Sequence, residues 1–193
     1  MSKKDPLQFD AATHTYTRHD GIVLPSITQI ISLIDTNTEY YNEVSAKLGS
    51  NRHKMLQYYD EGDLDETTVL PEYAPYLDGW KKFRSESGFK PTVIECKLYH
   101  KVYDFAGTPD RAGTLNGGTV VLEIKTGQIS RLTGLQLAGQ QMLFLNNGIS
   151  VYDRYAVQLF GDGSYLLKKY DNPSDEMVFC ALLTVWNWIK NYE

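Results

Sequence analysis

Cysteine is almost absent: Cys96 and Cys180 are the only two in 193 residues. Two isolated cysteines make neither a zinc-binding pattern nor a disulfide framework, so both are expected as reduced, buried thiols. Long apolar runs are also missing. The longest, Val178 to Ile189, is too short to span a bilayer and is broken by Thr184 and Asn187. No apolar segment follows Met1-Ser2-Lys3-Lys4-Asp5-Pro6, so a secretory signal is not expected. The expectation is a cytoplasmic chain without a membrane partner. Excess positive charge is lacking as well. The net charge of −5 argues against a protein that coats nucleic acid electrostatically. It does not exclude a nuclease, because metal ions neutralise part of a carboxylate-rich cleft. Basic residues group locally at Lys81-Lys82-Phe83-Arg84 and Lys168-Lys169, the pattern of a solvated face. Low complexity, linkers and internal repeats are not seen.

What is present suits one domain. Hydrophobic residues make up 42% of the chain and charged residues 22%, enough for a core under an ordinary surface. The 14 tyrosines are expected mostly half-buried, with their hydroxyls at the surface. Phe9 to Val23 reads as a hairpin turned at His19-Asp20-Gly21. Pro25-Ser26 then opens a short helix with Ile27, Ile30, Ile31 and Ile34 at helical spacing. A longer helix is predicted from Glu39 to Tyr59, carrying Tyr40, Val44, Leu48, Met55 and Leu56, with Gly49 marking close packing or a kink. Asp60 to Glu66 reads as an acidic loop, and Glu72 to Ser87 as a third helix with an aromatic core stripe closed by Gly88.

The period then changes. Thr92 to Tyr99, Val102 to Leu115 and Thr119 to Lys125 read as strands, the last two joined by an Asn116-Gly117-Gly118 hairpin turn. A helix from Arg131 to Asn146 follows, ended by Asn147-Gly148. Tyr152 to Leu159 and Tyr165 to Lys169 pair as strands around Gly161-Asp162-Gly163, and Asn172-Pro173 opens a last helix to Lys190. The expected fold class is α/β, a mixed central sheet flanked by helices.

The chemistry concentrates in Gly107-Thr108-Pro109-Asp110-Arg111 and Val120-Val121-Leu122-Glu123-Ile124-Lys125-Thr126-Gly127. Side chains alternate across a strand, so Val120, Leu122 and Ile124 face one side while Glu123 and Lys125 share the other. The hairpin returns the chain so that Asp110 reaches the same end as Glu123. Two carboxylates with a neighbouring backbone carbonyl suit a hard cation such as Mg²⁺ or Mn²⁺. Such an ion stabilises charge on a phosphate and activates water, and Lys125 would orient or deprotonate that water. A (D/E)-x-K tripeptide arises roughly once by chance in a chain of this length, and Glu95-Cys96-Lys97 is a second copy. Only the Glu123 copy follows a Pro-Asp across a predicted hairpin. The bland alternative is an exposed cross-strand salt-bridge face.

The ordered set Gly49-x-x-x-His53, Gly107-Thr108-Pro109-Asp110, Glu123-Ile124-Lys125-Thr126-Gly127 and Gln136-Leu137-Ala138-Gly139-Gln140 resembles the RecB-type branch of the PD-(D/E)XK nucleases. The run His14-Thr15-Tyr16 to Pro25-Ser26-Ile27-Thr28 resembles phage-encoded members of that branch. The resemblance implies one restriction-endonuclease-like domain over 1–193, with a hairpin and helices over 1–90 and the catalytic core over 91–193. It implies catalytic roles for Asp110, Glu123, Lys125 and Gln136, and metal ligation by His53, Asp110, Glu123 and the Ile124 carbonyl. Glu95 is a candidate to support the metal ligands or to bind a second metal, with a purely structural use as the alternative. Gln140 stands where the family usually carries tyrosine, and Gln136 and Gln140 share one helix face. Arg111, Arg131 and Gln140 are the candidate DNA contacts, while His14, His19 and His100 are read as structural.

The implied activity is Mg²⁺- or Mn²⁺-dependent hydrolysis of DNA phosphodiester bonds, with 5′-phosphate and 3′-hydroxyl products. An exonuclease of phage or prophage recombination or repair is the implied context, with recombination or single-strand-binding proteins as partners, in the host cytoplasm. Two alternatives remain open: a nuclease-like module that binds DNA or protein without cleaving, and a structure-specific endonuclease. Polarity, strand preference and oligomeric state are not readable from the sequence.

Overall fold

The tightest local signal in the sequence, Asn116-Gly117, builds the centre of the sheet. Both residues take positive φ (51° and 80°), the backbone of a two-residue hairpin turn that matches strand twist. The turn joins β7 (Arg111–Leu115) to β8 (Gly118–Lys125), with Leu115 opposite Gly118 and Arg111 opposite Leu122. The structure is a computed structural model that describes residues 7–10, 13, 15–35 and 43–191, with the side chains of 43–46 left out. His14 and the predicted helical start at 39–42 lie outside the described residues, as does the Val44 side chain.

Before β7 come β1 (Leu7–Asp10), β2 (Thr15–Arg18), β3 (Val23–Leu24), α1 (Ile27–Ile31), α2 (Glu43–Glu61), α3 (Ala74–Ser87), β4 (Lys90–Ile94), β5 (Leu98–Tyr99) and β6 (Ala106–Gly107). After β8 come α4 (Leu132–Asn146), β9 (Asp153–Leu159), β10 (Tyr165–Lys169) and α5 (Ser174–Lys190). The main sheet has the order β10-β9-β8-β7-β4. β8 and β9 run parallel and the other neighbours antiparallel, so the fold is mixed α/β with a mixed central sheet between helices. α4 makes the crossover that a parallel β8–β9 pair requires. β1 to β3 form a separate sheet, and β5 pairs with β6.

The alternation along β8 decides where everything packs. Val120, Leu122 and Ile124 are buried with Leu56 of α2 and Leu77, Trp80 and Phe83 of α3. Val121 faces the other way, against Leu137 and Phe144 of α4. Glu123 and Lys125 share Val121's side and so point at α4, as strand periodicity requires. α1 and α5 close a further core over α4, with Ile30, Phe105, Leu143 and Phe179.

Two predicted strands are each broken. Thr92 to Tyr99 divides into β4 and β5 at Glu95, which takes φ 45°, and Val102 to Leu115 divides into β6 and β7. Residues 102–105 form a turn instead, with Asp104 at φ 49°. The His100 ring caps that turn by accepting the Val102 and Tyr103 N–H groups at 3.3 and 3.1 Å. A side-chain acceptor there competes with ladder pairing. α1 ends at Ile31, and Ile34 lies in a 3-10 turn, exposed. Gly49 makes no break in α2; a Cβ there would sit 4.0 Å from Thr126 Oγ1, just beyond β8. No disulfide joins Cys96 and Cys180, and both are half-buried rather than buried. Among the described residues, no helix is long and apolar enough to cross a membrane.

Candidate functional site

The β7–β8 ladder stops at Arg111–Leu122, and the next residue on each strand carries a carboxylate. Asp110 is nearly buried, and its Oδ2 accepts the Ile124 N–H at 2.7 Å, replacing the missing ladder bond. Within a strand the N–H and C=O of one residue leave along the same edge, so the Ile124 carbonyl opens toward Asp110 as well. His53 Nδ1 of α2 stands 3.4 Å from Asp110 Oδ1. Glu95 comes in from the far side, where its positive φ turns the chain out of β4, and its N–H donates to the Asp110 carbonyl at 2.9 Å. One ligating atom from each of His53, Glu95 and Asp110 lies within 4.8 Å of the others. One imidazole and two carboxylates on that scale are a donor set that could hold a divalent cation.

Glu123 is the second hub. Its Oε1 accepts from Lys125 Nζ at 2.9 Å and from Gln136 Nε2 at 2.7 Å, and its Oε2 accepts from Gln140 Nε2 at 2.6 Å. Lys125 Nζ also donates to Gln136 Oε1 at 2.8 Å. The predicted helical pair Gln136 and Gln140 thus grips the predicted strand pair Glu123 and Lys125. Glu123 is 3% exposed, which excludes the exposed salt-bridge face. Gln140 Oε1 is buried with no hydrogen-bond partner among the described residues. Both hubs line one cavity of about 1000 Å³, together with Gly49, Thr108 and the exposed lysines Lys54 and Lys97. A second cavity of similar volume, between α5 and the β2–β3 hairpin, contains none of these residues.

The electrostatics follow from burial beside unlike charge. Burial pushes the His53 imidazole down, but Asp110, then Glu123 and Glu95, outweigh it and hold the ring up at about 9. Burial and the Asp110 carboxylate push Glu95 up to about 8, against the pull of Arg111 and His53. Burial would raise Asp110, yet His53, the Ile124 N–H and Lys125 hold it below the ordinary carboxylate value. Burial would lower Lys125, and Glu123 and Asp110 raise it instead. Before an ion binds, His53 and Lys125 are therefore cations, and Lys125 is held as a hydrogen-bond donor.

Two expected DNA contacts are corrected. Arg111 is fully buried, with Nε on Asp60 Oδ2 at 2.7 Å and Nη1 on Glu95 Oε1 at 3.0 Å, so it cannot reach a phosphate. Gln140 is 3% exposed and faces Glu123, not solvent. Arg131 is exposed at the start of α4 but is not part of the cavity wall. Glu95 is brought within ligand distance of His53 and Asp110, although its tripeptide looked like a chance match. Asp60 was missed. It sits in the last turn of α2 with its side chain fully inaccessible, not in a solvated loop. The residues that follow it, Glu61, Gly62 and Asp63, are acidic or small and gave no sign of this. His19 is exposed, and His100 is a turn cap.

No family model and no curated protein matches the chain. Among solved structures, the crystal structure of SSO0001 superposes with a TM-score of 0.36 at 16% identity, covering 81% of this chain and 80% of that one. A likeness at that level carries no argument about fold or chemistry.

Proposed function

We propose that the chain is a Mg²⁺- or Mn²⁺-dependent deoxyribonuclease with a PD-(D/E)XK-type, restriction-endonuclease-like core, acting as an exonuclease. The observation that supports this reading is the meeting of His53, Glu95 and Asp110 with the Glu123–Lys125–Gln136 hub in one cavity. An ion held by His53, Glu95 and Asp110, with Glu123 and the Ile124 carbonyl beside it, would stabilise charge on a phosphate and lower the pKa of its bound water. His53 would have to give up its proton to serve as a ligand. Lys125, fixed between Glu123 and Gln136, directs its ammonium protons at the attacking water or the phosphate oxygen. Gln140 orients Glu123 by donating to its Oε2. Lys54 and Lys97, both exposed on the cavity wall, together with Arg131, supply the cationic contacts to the DNA backbone.

The test is Mn²⁺-supported cleavage of end-labelled linear DNA and of covalently closed circular DNA by the purified chain. Cleavage of the linear form alone is expected, and cleavage of the closed circle would make the enzyme an endonuclease. Calorimetry separates the enzyme from a binding module. Mn²⁺ binding that disappears in Asp110→Ala supports the catalytic site, and a wild type that binds DNA but no Mn²⁺ is a module.

A further inference from the structure

We infer that Asp60 and Arg111 are positioning residues of the metal centre, holding Glu95 and Asp110 at ligand distance from His53. The inference rests on the metal-dependent reading above. Arg111 is fully buried, and its planar fork has two ends. Nε meets Asp60 Oδ2 at 2.7 Å, while Nη1 donates to Glu95 Oε1 at 3.0 Å and to the Asp110 carbonyl at 2.6 Å. That carbonyl also accepts the Glu95 N–H at 2.9 Å. One guanidinium therefore ties the carboxylate of one proposed ligand to the backbone of another. It leaves Glu95 a second oxygen for the ion.

Asp60 completes the frame from the helix side. It lies seven residues after His53, two turns further along the same face of α2. Its other oxygen, Oδ1, accepts from Trp80 Nε1 at 2.9 Å and from Arg84 Nη1 at 2.7 Å, both on α3. The Asp60–Arg111 pair thus fixes the helix that carries His53 against the strand that follows Asp110. Packing alone does not require an arginine here. A buried ion pair is commonly replaced by apolar side chains without loss of stability, and Arg111 Nη2 has no partner among the described residues. What an apolar residue cannot supply is a rigid fork that reaches Asp60 and Glu95 at once. Lysine, with one nitrogen, cannot span both.

The experiment measures Mn²⁺ affinity of the full chain without DNA, from the electron paramagnetic resonance signal of free Mn²⁺. Asp60→Asn keeps the shape of the side chain, and Arg111→Lys keeps the charge. Each is expected to weaken Mn²⁺ binding by roughly 10- to 100-fold, the usual effect of removing a partner that orients a ligand. Arg84→Met removes a different partner of Asp60, on the side away from the ligands, and should change the affinity by less than about threefold. In a Glu95→Gln background, Arg111→Lys should add clearly less loss than it causes alone, because part of its effect passes through Glu95. Equal losses in Arg84→Met and Arg111→Lys, additive losses with Glu95→Gln, or no loss in Asp60→Asn would each overturn the inference. A wild type that binds no Mn²⁺ would overturn the metal-dependent reading itself, which is a separate outcome.

Discussion

Metal binding should expel protons, and the number follows from the site. His53 is held at about 9 and Glu95 at about 8, both above their ordinary values of 6.5 and 4.5. A ligand must be a neutral imidazole or an ionised carboxylate. At pH 7 the metal-free protein carries both protons almost fully, so binding one ion releases about two. Near pH 6 to 7 the apparent affinity should then rise by up to about 100-fold per pH unit, flattening as pH passes roughly 8 and then 9. The sign for stability runs the other way in the metal-free chain. Both raised groups stabilise the fold below their unfolded values and lose that contribution as pH climbs through their folded ones, so Tm in EDTA should fall from pH 6.5 to 9. Calorimetric titration with Mn²⁺ in buffers of different ionisation enthalpy counts the protons directly. Release near zero, or proton uptake, would refute the reasoning, because it would mean that His53 and Glu95 either do not meet the ion or hold no proton to lose.

Three further perturbations probe other contacts. Lys125→Met removes the oriented donor but none of His53, Glu95 or Asp110, so turnover should fall by roughly 10²- to 10⁴-fold while calorimetry finds Mn²⁺ binding retained. Gln140→Leu strands the buried Glu123 Oε2 and should cost about 2 kcal/mol, lowering Tm by roughly 4–8 °C in a thermal melt. Gly113→Ala would place a Cβ 2.2 Å from the Lys90 carbonyl oxygen and 2.9 Å from Pro91 Cα. Neither backbone atom can give way without opening the β4–β7 pair, so a loss of about 1–3 kcal/mol or more in denaturant unfolding is expected, and Mn²⁺ affinity should fall as Glu95 moves with β4.

What could be read from the sequence was local in origin. The β7–β8 hairpin was legible because Asn116-Gly117 specifies its own turn, and the facing of Glu123 and Lys125 because β8 alternates without interruption. Gln136 and Gln140 were picked out by the family resemblance, and helical spacing put them on one face. The strand breaks were not legible: the positive φ at Glu95 is unusual for glutamate and goes with contacts to Asp110 and Arg111, 15 and 16 residues away, while Asp104 sits in a turn capped by the His100 ring. Arg111 looked like a surface phosphate contact because its counterion is 51 residues away, inside an acidic run that reads as solvated. A buried charge network leaves little trace in hydropathy: its members carry the residue types of a surface. That is why Asp60 was missed and why the role of Arg111 was misassigned.

The most direct test of the account is a time course of DNA degradation by the purified chain in Mn²⁺, wild type beside Lys125→Ala, with the product ends identified by mass spectrometry. The account predicts nucleotides bearing 5′-phosphates from the wild type, nothing in EDTA, and a loss of at least about 100-fold in the variant. No degradation of single-stranded or duplex DNA in either Mn²⁺ or Mg²⁺, or full activity in Lys125→Ala, would contradict it.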